Sequence, residues 1–172
     1  HCTIEEREEY EPHIERGAIV YAGVDYAAIL AHAQRECAVI VWDGGNNDFP
    51  FLRPDLHIVL LDPMRAGHER TYHPGEAVLR MADITLIAKA DTANAAQLAQ
   101  LNDSVLRMNP AATIVRGASP VTLEQAHRLR GHRVLVVEDG PTITHGGMPH
   151  GAGWRAAISA GAIVIDPRPW AG

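Results

Sequence analysis

Residues 39–51 read Val39-Ile40-Val41-Trp42-Asp43-Gly44-Gly45-Asn46-Asn47-Asp48-Phe49-Pro50-Phe51. The four large apolar residues at the start are too few for a lone helix and suit a strand buried on both faces. Asp43 ends the run, Gly44 and Gly45 turn the backbone, and Asn46, Asn47 and Asp48 crowd polar groups just beyond it. Open parallel sheets bind ligands outside the carboxyl ends of their strands. An acid at that place is where nucleotide enzymes hold the magnesium that bridges phosphates. Asp43 is therefore a candidate metal ligand; the alternative is a strand closed by an ordinary polar turn.

Outward from this stretch, strands and helices alternate. Thr3 to Tyr10 reads as a short acidic helix, with Thr3 and Glu6 spaced as a capping box and Pro12 ending it. The Glu5, Glu6, Glu8, Glu9 cluster reads as a solvated face. Ala18–Tyr21 is a short strand, Tyr26–Arg35 a helix and Cys37–Asp43 the central strand. His57–Asp62 is the next strand, followed by a long loop from Pro63 to Glu76, a short helix through Met81 and the strand Ile84–Ala88. Thr92 or Asn94 caps a longer helix that runs to Met108. Thr113–Arg116 (strand), Thr122–Arg128 (helix) and Arg133–Glu138 (strand) follow. A glycine-rich loop, the helix Trp154–Ala160 and the strand Ala162–Asp166 complete the pattern. Such alternation predicts βαβ units and an open, mostly parallel sheet flanked by helices. Residues 1–172 are expected to form one α/β domain. Strand-Asp-Gly at Asp43 and Asp139, and strand-Asp-Pro at Asp62 and Asp166, place acids repeatedly on one edge of that sheet.

Composition narrows the classes of function. Hydrophobic residues make up 47% and charged ones 21%, ordinary for a globular protein. A net charge of −6 leaves no basic footprint for nucleic acid. No apolar run reaches the roughly 18 residues of a membrane span, and no signal-peptide pattern opens the chain. Cys2 and Cys37 are too few for a disulfide framework or a cysteine-rich zinc site. A cytoplasmic protein, capable of homo-oligomerising, is the expectation. There are 10 histidines and a single lysine, Lys89. The chain opens on HCTIEEREEYEP without an initiator methionine, which reads as a fragment or a processed or cloned segment of a larger protein.

Three clusters carry candidate chemistry. Lys89-Ala90-Asp91 ends the strand ITLIA as A-K-A-D. Nucleotide-binding P-loop proteins place Asn/Thr-Lys-x-Asp here, the lysine stem on the base and the aspartate on its N–H groups. A plain strand-end ion pair explains it equally. The 62–80 segment holds Arg65, His68, His73, Glu76 and Arg80. Arginine grips phosphate bidentately, so Arg65 and Arg80 suit a phosphorylated substrate. His68 could donate to phosphate or move a proton. The rivals are a His68, His73, Glu76 metal site, which fits no zinc signature, and a solvated loop. Third, Glu138-Asp139-Gly140-Pro141-Thr142-Ile143-Thr144-His145-Gly146-Gly147 offers backbone N–H groups, hydroxyls and an imidazole for an anion. No G-x-x-x-x-G-K-[ST] occurs, so the chain has no phosphate-gripping P-loop of its own.

The strings CTIEEREEYEPHI, VIVWDGGNNDFPF, DPMRAGHE, HPGEAVLRMADITLIAKAD, VLVVEDGPTITHGGM and IDPRPWA together resemble the cyclic 2,3-diphosphoglycerate synthetase family, over a middle-to-late portion of its longer proteins. A fainter likeness runs to the tetraacyldisaccharide 4'-kinases, which are P-loop phosphotransferases. The resemblance implies a P-loop nucleotide hydrolase-like fold lacking its N-terminal P-loop unit. It implies a ligase that uses ATP and magnesium to close 2,3-diphosphoglycerate into a cyclic phosphoanhydride. On that reading Asp43 serves magnesium, and Lys89 and Asp91 lie near the nucleotide base. Arg65, His68 and Arg80 hold the substrate, with Arg65 and His68 also catalytic. Asp139, Thr144 and His145 are further candidates at the same rim. Another small-molecule phosphotransferase, or a non-catalytic nucleotide-binding piece, are the alternatives.

Overall fold

A computed structural model describes residues 3–44, 49–138, 149–166 and 169. Its centre is a three-stranded parallel sheet of β1 (Ile58–Leu61), β2 (Ile84–Ile87) and β3 (Thr113–Arg116), in the order β1-β2-β3. The register aligns Ile58 with Ile84 and Thr113, and Leu60 with Leu86 and Val115. Each connection is a helical crossover. α3 (His68–Thr71) and α4 (Gly75–Met81) lead from β1 to β2, and α5 (Ala95–Met108) leads from β2 to β3. Crossovers of one hand between sequential strands put their helices on the same face.

That face holds the core. Leu61, Leu79, Ile87, Leu101 and Val105 are buried together, and Val59, Leu98, Met108 and Ile114 pack around them. Leu98, Leu101, Val105 and Met108 recur at helical spacing, which gives α5 its apolar stripe. Each fully buried member contributes on the order of 1.5–3 kcal/mol. α5 begins at Asn94, whose side chain accepts from Gln97 N while the Gln97 side chain accepts from Asn94 N. The helix ends at Asn109, whose buried Nδ2 donates to the carbonyls of Leu79 (3.0 Å), Arg80 (3.3 Å) and Ala82 (2.8 Å). One side chain thereby ties the end of α5 to the end of α4. Buried Glu69 accepts from Ser104 Oγ (2.5 Å) and from Gly67 N (2.6 Å), fixing α3 against α5.

Five helices and strands lie outside this sheet among the described residues. α1 (Ile4–Glu15) carries the expected Thr3–Glu6 capping box but runs through Pro12. Proline's fixed φ suits a helix, and its cost is one lost hydrogen bond and local crowding. α2 (Tyr26–Glu36) starts at the Asp25 cap, as the sequence predicts. β4 (Arg133–Val134) and β5 (Ile163–Val164) form a separate two-stranded parallel sheet, joined in sequence through α6 (Ala152–Ser159). No helix among the described residues is long and apolar enough to cross a membrane.

Other expectations are corrected. Residues 18–21 and 37–43 form no strand, and Val39 and Val41 are 79% and 85% exposed. A strand needs a hydrogen-bonding neighbour, and β1 pairs with β2 alone among the described strands. The aromatic residues of this stretch instead pack locally: Trp42 meets Phe51 edge-on at 5.7 Å, and Phe51 stacks on Tyr26 at 4.8 Å. The loop from Pro63 to Glu76 is folded into a 3₁₀ turn, Pro63–Arg65, and α3. The helix expected over Thr122–Arg128 is only a 3₁₀ turn, Ala126–Leu129.

Candidate functional site

The carboxyl ends of β1, β2 and β3 converge on a short polar rim. β1 delivers Asp62, whose Oδ1 caps the following 3₁₀ turn by accepting from Met64 N at 2.9 Å. β2 delivers Lys89, whose ammonium donates to Asp62 Oδ2 at 2.7 Å. β3 delivers Gly117 and Ser119. Gly117 N donates to Ile87 O and its carbonyl accepts from Ala90 N, so the β2 and β3 extensions stay paired past the strands. A Cβ at Gly117 would stand 3.2 Å from Leu86 Cδ1, which is why the smallest residue fits there.

Ser119 links the rim together. Its hydroxyl accepts from Lys89 N at 3.3 Å, and its N–H donates to Asp91 Oδ1 at 2.9 Å. Lys89 itself sits at φ 54°, in the left-handed region that side chains rarely adopt. Thr92 Oγ1 donates to Lys89 O at 3.0 Å and closes the turn. Lys89, Asp91, Asp62 and Ser119 thus form one connected network drawn from three strand ends. The first two were singled out from sequence, and Asp62 only as one of the strand-end acids. Ser119 was missed; its signal is the Ser119-Pro120 turn directly after a strand.

Arg65 belongs to the same neighbourhood: its N–H donates to Asp62 O at 2.9 Å. Its Nε is buried without a hydrogen-bond partner among the described residues, a donor that an anionic ligand or water would satisfy. His68 is exposed on α3, its ring 4.5 Å from that of Tyr72.

The structure does not gather the other candidates here. Arg80 lies at the far ends of the strands, near where β2 and β3 begin. It donates to Glu76 through Nε (3.0 Å) and Nη2 (2.8 Å), and to Met108 O through Nη1 (3.1 Å). α4 carries it down the sheet, away from Lys89. Asp43 is exposed in the segment that forms no strand, so no strand brings it to the rim. Asp139, Thr144 and His145 lie outside the described residues. The rival His68, His73, Glu76 metal site is not assembled either. His73 meets Phe49 at 5.8 Å, Glu76 is paired with Arg80, and no group of three or more His, Cys, Asp or Glu could hold a metal among the described residues. At the rim, Asp62 has both oxygens engaged and Asp91 gives one to Ser119. That donor set does not make a magnesium site by itself.

A second carboxylate is held in a defined way elsewhere. Glu138, beyond β4, accepts from Gly151 N (2.9 Å) and Trp154 N (3.1 Å) at the start of α6. Burial pushes its acidity one way, but the N–H groups of Gly151, Trp154 and Gly153, with His150 nearby, outweigh it and leave the carboxyl below its ordinary 4.5. His150 and Trp154 stack at 4.0 Å over the same helix start.

No family model matches the sequence, and no solved structure matches it. A curated protein does: the chain is 58% identical over 171 residues to arginine synthetase ArcE of Thermococcus kodakarensis. The match takes in 99% of this chain and 38% of that protein. Along nearly its whole length, then, the chain is similar to a part of a named synthetase and spans well under half of that relative.

Proposed function

We propose that this chain is part of an ATP-dependent ligase, with the rim of Asp62, Lys89, Asp91 and Ser119 at its nucleotide end. The observation that carries this is the 58% identity to a protein named a synthetase, over all but the ends of the chain. The rim supports it: a lysine and an aspartate two residues apart, at the carboxyl end of a parallel strand, are where the fold class places ligands. The residues of this chain would bind and orient the nucleotide. A P-loop and a magnesium ion, which would come with the rest of the enzyme, would supply phosphate activation.

For the product, arginine formation is the first reading, and it is carried by the name of the relative. Lys89 is neutralised by Asp62, Asp91 adds a second carboxylate, and Arg80 sits at the other end of the strands. A substrate with two phosphates calls for more positive charge than the described rim concentrates. Cyclic 2,3-diphosphoglycerate formation is the second reading. The strings quoted above favour it, as does the unsatisfied Nε of Arg65 beside Asp62. There Arg65 and His68 would take the substrate's phosphates, with Asp43 on magnesium and Asp139, Thr144 and His145 at the rim.

The test uses a chimera in which this chain replaces the matched region of the Thermococcus relative. Supplied with arginine and with ADP and phosphate, or AMP and pyrophosphate, it should make ATP by the reverse reaction. Supplied with ATP, magnesium and 2,3-diphosphoglycerate, a ring-phosphoanhydride signal in phosphorus NMR would select the second reading. Calorimetric ATP binding with neither reaction would leave a nucleotide-binding piece and sink both.

A further inference from the structure

The stretch Gln125-Ala126-His127-Arg128-Leu129-Arg130-Gly131-His132-Arg133 carries three arginines, two histidines and no acid, in a chain whose net charge is −6. Its backbone doubles back on itself. The 3₁₀ turn Ala126–Leu129 runs into a second turn, closed by His132 N donating to Leu129 O at 3.0 Å. Arg130 has φ −58° and ψ 120°, and Gly131 φ 73°, the conformations a type II turn requires. Gly131 N also donates to Gly161 O at 2.8 Å, which ties the turn to the approach to β5.

The reversal brings Arg128, His132 and Arg133 to the lining of one groove of about 470 Å³. Leu123, Leu129 and Val134 supply its apolar wall. Arg128 is oriented by Gln125, whose Oε1 accepts from Arg128 Nη1 at 2.6 Å. Gln125 sits at φ 53°; among the described residues only it and Lys89 are non-glycines in the left-handed region. The one carboxylate in the lining is Glu124, and neither Arg128 nor Arg133 has an ion-pair partner among the described residues. In the comparable groove beside α4, Arg70 and Arg80 are each paired with a glutamate.

We propose that the Arg128–Arg133 groove binds a phosphorylated small molecule, its phosphate on the two guanidinium groups and its apolar body on Leu123, Leu129 and Val134. Guanidinium presents a planar fork of donors that matches phosphate oxygens and stays charged. His132 adds a donor beside it. The volume suits a single small ligand, for which pockets run roughly 300–1,000 Å³. The acidic balance of the whole chain speaks against a nucleic acid. The groove shares no residue with the rim of Asp62, Lys89, Asp91 and Ser119, so the proposal stands apart from the reading of that rim.

Calorimetric titration of the chain with phenyl phosphate, and with inorganic phosphate for comparison, tests this. Phenyl phosphate should bind at least fivefold more tightly than inorganic phosphate. Arg128→Gln combined with Arg133→Gln should weaken phenyl phosphate at least tenfold. Lys89→Met, and Arg107→Gln, which removes an exposed charge from α5, should each change it less than twofold. Should the double variant lose its native circular dichroism, Arg128→Lys replaces it; the charge stays, the fork goes, and affinity should fall at least threefold. Absence of phenyl phosphate binding at millimolar concentration would overturn the proposal. So would equal affinity for the two anions, or a loss in Arg107→Gln as large as in the double variant. A loss confined to Lys89→Met would overturn it by placing the anion at the rim.

Discussion

The ammonium of Lys89 lies 2.7 Å from the carboxylate of Asp62, joining the ends of two neighbouring strands across 27 residues of sequence. The two side chains are 39% and 27% exposed, so water screens the pair and its contribution to folding is at most about 1 kcal/mol. On the proposed reading, its value to the protein lies in where it holds the cation. Lys89→Met should therefore move the melting midpoint by no more than about 3 °C, yet weaken ATP at least tenfold, about 1.4 kcal/mol. Calorimetric titration of the chimera with ATP measures this. Unchanged affinity would remove Lys89 from the nucleotide site.

Asn109 should behave in the opposite way, as a residue of pure architecture. Removing its amide in Asn109→Ala takes the side-chain donor from the buried carbonyl of Ala82 and leaves that of Leu79 with the Ala82 N–H alone, at 3.3 Å. The expected loss is about 2–3 kcal/mol, or roughly 5–10 °C in melting midpoint. Asn109→Asp should not rescue it, because an ionised carboxylate cannot donate. A loss below about 1 kcal/mol by urea denaturation would show that α4 and α5 are held together by other contacts.

Glu138 sets an acid limit on the α6 region. Its folded acidity lies below the ordinary value of 4.5, so it stabilises the folded state fully above that pH. The contribution disappears as pH falls through the lower, folded value. In Glu138→Gln the difference from the parent protein, roughly 0.5–1 kcal/mol after allowance for solvent screening, should be present at pH 7 and vanish in strong acid. A constant difference across that range would mean that the carboxylate's charge is irrelevant to the cap.

Tyr21 offers a spectroscopic check on α2. Its hydroxyl donates to Glu36 Oε2 at 2.7 Å, and that bond, with desolvation and the carboxylate's charge adding to it, pushes the phenol up to about 12. Any stabilisation from the raised phenol is complete below the ordinary value of 10.0 and lost as pH rises through about 12. Ultraviolet titration should show one tyrosine ionising late, and Glu36→Gln should return it towards 10.0. Four tyrosines titrating together in the parent would sink the contact.

The sequence spoke most clearly where local rules suffice. Thr3 with Glu6, and Asn94 as one of two candidate caps, announce helix starts that the structure contains, and the apolar runs at Ile58, Ile84 and Thr113 are the three strands of its central sheet. Val39–Trp42 was the strongest apolar run and the poorest guide, because β-structure exists only with a neighbour and composition does not say whether one is at hand. Arg65 and Arg80 look equivalent when the 62–80 segment is read as a single loop. Once α3 and α4 form, the two arginines go to opposite ends of the strands. The pairing of Lys89 with Asp62 was illegible for a related reason: it depends on strand order, which no local pattern encodes. Asp139, Thr144 and His145 fall outside the described residues and stay as the sequence left them.

Lys89 occupies a backbone conformation that glycine would hold with less strain, at a cost of about 1–2 kcal/mol for a residue with a side chain. A protein selected for rigidity alone would do better with glycine there. The positive charge at that corner is thus bought with thermal robustness, and any attempt to make this domain hardier should expect its easiest improvement to fall on the residue that ties two strand ends together through Asp62.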